Sequence, residues 1–397
     1  MNKQLAYDIQ MIKDYQYIQT GLKSNKNKVK KIVKYINNLT NESDYEIIKP
    51  IVEDVIYLIQ SLDYLNTSCN SLCGNRNKFF PYTRFYREYI STIRIVIENI
   101  ENIFGINSSI NLINLMETEI NWRHRLEHGK DPFYDGDIYK IISMLNVNKM
   151  VKFIEEICSI LCTRSNLSGH PIPNITIDYG EVSIVDRKSI IQNLYEINFK
   201  IFEKITEMSY MAMDGVLNDE ERNIIDIGFK YQELDKCLYY IYINDKRILK
   251  DYSGLMCDDF SYFTRMAVTI TYQICDKLGV YLDNKHNLNL GTKYFKRVVK
   301  EVNNCNLHDS ITNVVCNIRN TYEYRELNKI RQSIAHGKKS IDFQANADTL
   351  SSLIVKTVEK FQIIINAILD DYFYINNYKV SERAQIELKR KSTYKRL

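Results

Sequence analysis

Proline is scarce in this chain: five residues in 397 (Pro50, Pro81, Pro132, Pro171 and Pro173), with none after position 173. Proline breaks a helix interior by removing an N–H and crowding the preceding turn, so its absence from the second half suits long uninterrupted helices. No run of 18 apolar residues occurs either, which removes the expectation of a membrane-spanning helix. Met1–Thr20 mixes charged and apolar residues without an apolar block, so no secretory signal is expected. No C-x-x-C pair is found among the nine cysteines, although Cys69/Cys73 and Cys158/Cys162 are spaced i,i+4. Without His or Cys partners at zinc spacing, the cysteines read as buried free thiols, and a reducing cytoplasm is the expected compartment. A phosphate-cradling glycine loop, a nucleophilic Cys–His pair and a serine triad signature are also missing, so no cofactor and no metal are expected.

What is present is ordinary for a folded protein: 45% hydrophobic and 26% charged residues. The 30 tyrosines, with abundant Ile, Asn and Lys, read as a coding bias and as half-buried rings with wet hydroxyls. The net charge of +4 is uneven. Lys379–Leu397 carries seven Lys/Arg against two Glu, and Lys23–Lys34 carries six lysines and no acid. Either stretch suits phosphate attraction or a solvated face.

Apolar residues recur at three- and four-residue steps in Tyr86/Tyr89/Ile90/Ile93/Ile97/Ile100, in Val151/Ile154/Ile157/Cys158/Leu161 and in Leu353/Val358/Phe361/Ile365/Ile368. That period predicts helices with buried faces. The clearest break is Ser165–Glu181, with two prolines and two glycines between a helix ending near Thr163 and one starting near Arg187. A short strand pair is expected within Ile175–Val185. Met211–Glu221 reads as a helix–turn–helix junction with a turn at Asp214-Gly215 and an N-cap at Asn218 or Asp219. The reading is all-α, with two related helical-bundle domains over 1–164 and 186–397, a linker over 165–185, a basic tail, and packing as an intramolecular pseudo-dimer.

The chain repeats one string. Residues 121–130 read Asn-Trp-Arg-His-Arg-Leu-Glu-His-Gly-Lys and residues 329–338 read Lys-Ile-Arg-Gln-Ser-Ile-Ala-His-Gly-Lys. Both hold R-x4-H-G-K, with Arg123/His128 and Arg331/His336 set 208 residues apart. Each copy also follows a helical segment with an arginine near its start, Arg87 and Arg265. Duplication of one helical unit explains the pattern.

On these strings the chain resembles the HEPN superfamily, helical bundles marked by R-x4-6-H. The resemblance covers Phe80–Asp131 and Asp259–Ile341. It implies metal-independent RNA cleavage at a site built from two facing motifs, here Arg123, His128, Arg331 and His336. It also implies a setting in prokaryotic defence or toxin–antitoxin growth arrest, RNA as partner, and a protein antitoxin or activator; a homodimer is left open. Many members carry Asn directly after the Arg, where this chain has His124 and Gln332, both able to hydrogen-bond in support. Lys130 and Lys338 are the candidates for flanking phosphates.

The residue types suit that chemistry. RNA is cut when its own 2′-hydroxyl attacks the adjacent phosphate, which needs a base, an acid and positive charge. Histidine titrates near neutrality and serves as either acid or base. Arginine stays charged and offers a planar fork to phosphate oxygens. Residues at i and i+5 lie ~140° apart around a helix. The glycine after each His therefore predicts a helix C-terminus there, where the chain leaves helical geometry and the macrodipole favours a cation.

Two other readings compete. His124-Arg-Leu-Glu-His128 matches the H-x-x-E-H signature of inverzincin metalloproteases, with two zinc-binding His and a general-base Glu. The second copy keeps neither the first His nor the Glu. The third reading is a non-catalytic helical module binding RNA or protein, in which Arg123 and Arg331 pair with acids such as Glu119 and Glu326. His170, His286 and His308 read as surface residues near loops.

Overall fold

The apolar stripes of the sequence become the buried faces of helices in the computed structural model, which describes residues 42–74, 82–127, 147–163, 187–213, 217–243, 249–252, 255–290, 294–336, 341, 343–377, 379–382 and 384–386. Its helices are α1 (Glu42–Gly74), α2 (Tyr82–Phe104), α3 (Ile110–Glu127), α4 (Val147–Thr163), α5 (Arg187–Met213) and α6 (Asp219–Ile243). They continue as α7 (Asp259–Lys285), α8 (Phe295–Asn304), α9 (Ser310–Asn317), α10 (Tyr322–His336) and α11 (Phe343–Ile375). Short 3-10 turns fall at Ile106–Ser108 and Ile318–Asn320. Among the described residues the fold is all-α apart from one antiparallel hairpin, β1 (Leu249–Tyr252) and β2 (Leu255–Asp258), in register Leu249↔Asp258 to Tyr252↔Leu255. The strand pair expected at Ile175–Val185 and the turn at Asp214-Gly215 lie outside the described residues. No described helix is long and apolar enough to cross a membrane.

The chain forms two compact units, each drawn from separated stretches. The first takes Met1–Thr176, Ile248–Tyr262 and Gln332–Gln344; the second takes Ile177–Arg247, Phe263–Arg331 and Ala345–Leu397. The expected linker over 165–185 lies wholly outside the described residues, between α4 and α5.

In the first unit α1 packs on α2, α2 on α3 and α3 on α4, and α4 returns to α1, the closed order of a four-helix bundle. The seam is the predicted one: Tyr89, Ile90, Ile93 and Ile100 of α2 and Ile154, Ile157 and Leu161 of α4 are fully buried. Polar groups taken inside find partners, as desolvation demands. The Tyr89 hydroxyl donates to the Met150 carbonyl at 2.5 Å, and the Tyr57 hydroxyl donates to Glu88 at 2.6 Å. Tyr262 closes the cluster, with its ring 4.6 Å from Tyr57 and 4.9 Å from Tyr64, and its hydroxyl 3.0 Å from Ser61 Oγ. α3 is kinked at Met116, whose φ of −114° and ψ of 20° leave helical geometry.

In the second unit α5 and α6 pack tightly enough to need Gly228, where a Cβ would lie 2.5 Å from Ile205 Cδ1. The start of α6 is a capping box: Asn218 Oδ1 accepts from the Glu221 N–H at 2.9 Å, and Glu221 Oε2 accepts from the Asn218 N–H at 2.7 Å. This is the N-cap that the acidic stretch predicted. Asn198 of α5 joins three helices at full burial. It donates to Asp235 at 2.5 Å and accepts from the Tyr231 hydroxyl at 2.6 Å and from Gln362 of α11 at 2.8 Å. Leu353, Val358, Phe361, Ile365 and Ile368 bury the predicted stripe of α11. α10 is tied to α11 by Lys360 and Glu323 at 2.6 Å.

Candidate functional site

Both arginines of the R-x4-H strings lie near the ends of helices. α3 ends at Glu127, four residues after Arg123 and one before His128; α10 ends at His336 itself, five residues after Arg331. A helix C-terminus leaves carbonyls unpaired and carries partial negative charge, so a histidinium is favoured there. The arginines that precede each copy are buried near the starts of long helices, Arg87 in α2 and Arg265 in α7, each 7% exposed. They belong to the core, away from solvent.

Of the sequence-derived site residues, His128, Lys130 and Lys338 lie outside the described residues, and Arg123, His124 and His336 are described in their backbone alone. The H-x-x-E-H string at 124–128 is subject to the same limit. Arg331 and Gln332 are described fully, half-buried and exposed respectively. Arg331 sets its guanidinium carbon 3.8 Å from the centroid of the Tyr272 ring on α7. That is well inside cation–π range. It makes no ion pair among the described residues. Glu326, the acid offered as its partner in a structural role, takes Lys329 at 2.5 Å; Glu119, offered to Arg123, takes Lys149 at 3.5 Å, and the Arg123 side chain lies outside the description. Both glutamates are buried, at 4% and 2% exposure.

The aromatic face under Arg331 is built by three helices. Asp276, one turn beyond Tyr272 on α7, accepts the backbone N–H of Phe295 at 3.5 Å, which seats the start of α8. The Phe295 ring meets Tyr324 of α10 edge-on at 5.7 Å between centroids. Burial pushes the Tyr272 phenol well up, with Asp276 adding and Arg331 opposing. Burial does the same to the Cys275 thiol and the Tyr324 phenol. At neutral pH all three are therefore uncharged.

His286 corrects the expectation of an unpartnered surface residue. At the end of α7 it is 12% exposed, and its Nε2 lies 2.8 Å from the Thr312 hydroxyl and 3.9 Å from Asp309. Asp309 is the N-cap of α9 and also accepts from the Thr312 N–H and hydroxyl, each at 2.8 Å. The trio resembles a hydrolytic arrangement, but Thr312 is fully buried and Asp309 bonds the hydroxyl, and no orienting partner on the imidazole occurs among the described residues. It is a helix cap. His308 is exposed as expected, 3.0 Å from Asn313.

Among the described cysteines, Cys158, Cys237, Cys275 and Cys316 are buried free thiols and Cys305 is exposed. No group of three or more His, Cys, Asp or Glu able to hold a metal occurs among the described residues. Sequence reasoning missed Tyr272, which is one tyrosine among 30 and carries no local signal of its own. No protein-family model matches the chain, and no curated protein or solved structure matches it.

Proposed function

We propose that the protein is a metal-independent endoribonuclease whose two R-x4-H motifs act together, as the resemblance to HEPN proteins implies. The observation that carries this reading is Arg331: a half-buried guanidinium one turn from a helix C-terminus, held on a tyrosine face with no carboxylate to neutralise it among the described residues. A guanidinium stacked on a ring keeps its edge N–H donors for other acceptors, and arginine takes phosphate oxygens bidentately through such a fork. Gln332–Gln344, which contains His336, falls in the same compact unit as α3, which carries Arg123, and Arg331 falls in the other unit.

In the proposed reaction the RNA 2′-oxygen forms a bond to the adjacent phosphorus while the bond from phosphorus to the 5′-oxygen breaks. One histidine takes the 2′-hydroxyl proton and the other protonates the leaving 5′-oxygen, giving a 2′,3′-cyclic phosphate and a 5′-hydroxyl. Arg123 and Arg331 stabilise the charge of the pentavalent phosphorane. RNA is the partner, single-stranded or looped so that the 2′-hydroxyl reaches in-line geometry. The biological setting is defence or growth arrest, with a protein antitoxin or activator.

The test is cleavage of total cellular RNA by the purified chain in excess EDTA, with Arg331→Ala and His336→Ala alongside. Wild type cuts and leaves cyclic phosphate ends, and each variant falls by roughly 100-fold or more, the range for a lost acid–base or oxyanion partner. Cutting that needs a divalent ion, or that both variants retain, overturns the reading.

A further inference from the structure

We infer that the turn between α2 and α3 in the first unit is a self-association surface, on which a second copy of this chain packs about a two-fold axis. The inference stands apart from the ribonuclease reading. Residues 102–116 are the longest stretch of the chain without Asp, Glu, Lys or Arg, 15 residues in a sequence that is 26% charged. They hold the end of α2, the 3-10 turn Ile106–Ser108 and the first half of α3. Gly105, at φ 85° and ψ 159°, takes a backbone conformation open essentially to glycine alone and reverses the chain there. Its N–H donates to the Glu101 carbonyl at 2.9 Å, and the Ser109 N–H donates to the Ile106 carbonyl at 3.1 Å. The Ser108 hydroxyl donates to the Phe104 carbonyl at 2.9 Å, and the Ser109 hydroxyl donates to the Glu101 carboxylate at 2.5 Å. On a turn pinned by these bonds, Ile106 is 72% exposed and Ile110 is 45% exposed. Asn102, Asn107, Asn111 and Asn114 are the exposed amides of the same stretch.

Exposed apolar side chains rimmed by polar groups mark a contact surface, and here the rim decides the partner. Near a two-fold axis each side chain meets its own copy, so a charge there faces the same charge. A foreign partner sets no such condition, since it can answer a charge with the opposite one. A charge-free patch is therefore what self-pairing requires. The amides meet the same condition, because each carries both donors and an acceptor and one Asn can bond another. A bilayer also takes up exposed isoleucine, but the stretch has no Lys, Arg, Trp or Tyr to anchor at headgroups, and its flanking charges are Glu101 and Glu117. The patch is small, so the pair is a weak one whose population grows with concentration.

The experiment is sedimentation velocity of the full chain from low micromolar to several hundred micromolar. Wild type moves from monomer toward dimer as concentration rises, and sodium sulfate strengthens the shift because the contact is apolar. Ile106→Asp and Ile106→Lys each weaken association about tenfold or more, since each places like charges against one another. Mixed in equal amounts, the two variants pair again, a recovery expected only where position 106 of one copy lies near position 106 of the other. Both variants keep the wild-type urea midpoint, because the side chain they replace is mostly in solvent. The surface is overturned if wild type stays monomeric throughout, if Ile106→Asp associates as wild type does, or if the mixture fails to pair. Wild type that stays monomeric but floats with phosphatidylcholine vesicles, while Ile106→Asp does not, assigns the turn to lipid and overturns it as well.

Discussion

Arg331 and Tyr272 are a cation and a ring from two helices, 59 positions apart in sequence, joined face-on at 3.8 Å. A half-buried contact of this kind couples by about 0.5–1 kcal/mol beyond the area it covers. The prediction is a double-mutant cycle of Arg331→Ala with Tyr272→Leu, read by urea unfolding, that returns a coupling of that size. Tyr272→Phe keeps the ring, and with it both the coupling and RNA cleavage. Tyr272→Leu lowers cleavage roughly tenfold or more by loosening the guanidinium. Additive losses in the cycle would show that the ring does not hold the arginine.

Gly228 and Ile205 test how tightly α5 and α6 approach. The Ile205 side chain is fully buried, and three of its carbons would lie within 2.9 Å of a Cβ at position 228. Gly228→Ala gains about 1 kcal/mol of helix propensity but overpacks the seam by more, so a net loss of stability of about 1–2 kcal/mol is expected. Ile205→Ala in the same chain opens room, and the double variant should be more stable than the sum of the two losses. A stabilised Gly228→Ala variant would contradict the seam as described.

Asn198 is predicted to be costly to replace, although it touches no candidate site residue. Asn198→Ala removes the acceptor shared by Tyr231 and Gln362 and a donor to Asp235, all at high burial. Stranding these groups costs about 2–4 kcal/mol, visible as a lower urea midpoint. A midpoint that does not move would mean that water or side-chain shifts repair the network.

His286 sets a pH dependence. Burial holds it below its ordinary value, Asp309 opposes that shift, and Lys285 adds to it. The folded chain then binds fewer protons here than the unfolded chain, so stability rises with pH. The contribution is complete above the ordinary value of about 6.5 and is lost as pH falls through the folded value. Burial alone would raise the Asp309 carboxyl, but the Thr312 N–H and hydroxyl and Lys285 outweigh it and lower its pKa, so its contribution disappears only at more acid pH. Urea midpoints between pH 8 and 5 should fall in wild type and fall less in His286→Gln. Equal slopes in the two proteins would exclude His286 as the source.

The helices were legible because period-3.6 burial is written in every turn: five of the six stripe residues in α2, all those in α4 and all those in α11 are buried. The sixth, Tyr86, has a side chain outside the description. The cap at Asn218 was legible because an Asn three residues before a Glu satisfies two orphan N–H groups at once. The hairpin Leu249–Tyr252 with Leu255–Asp258 was missed, since four-residue strands are too short to display a period. The partner of Arg331 was missed for a different reason. Local spacing points to Glu326 on the same helix, but Lys329 takes that carboxylate and the arginine reaches a ring supplied by another helix.

Tyr262 also bears on how the protein is made. The first unit draws its last pieces from Ile248–Tyr262 and Gln332–Gln344, long after Met1–Thr176 has been synthesised. At ribosomal speeds of about 5–20 residues per second, the nascent bundle waits on the order of 10–30 s between Thr176 and Gln344. Until Tyr262 emerges, Tyr57 and Tyr64 lack the ring that covers them, and Ser61 lacks its hydroxyl partner. For a chain read as a nuclease, that order delays completion of the first unit until Gln344 has been made.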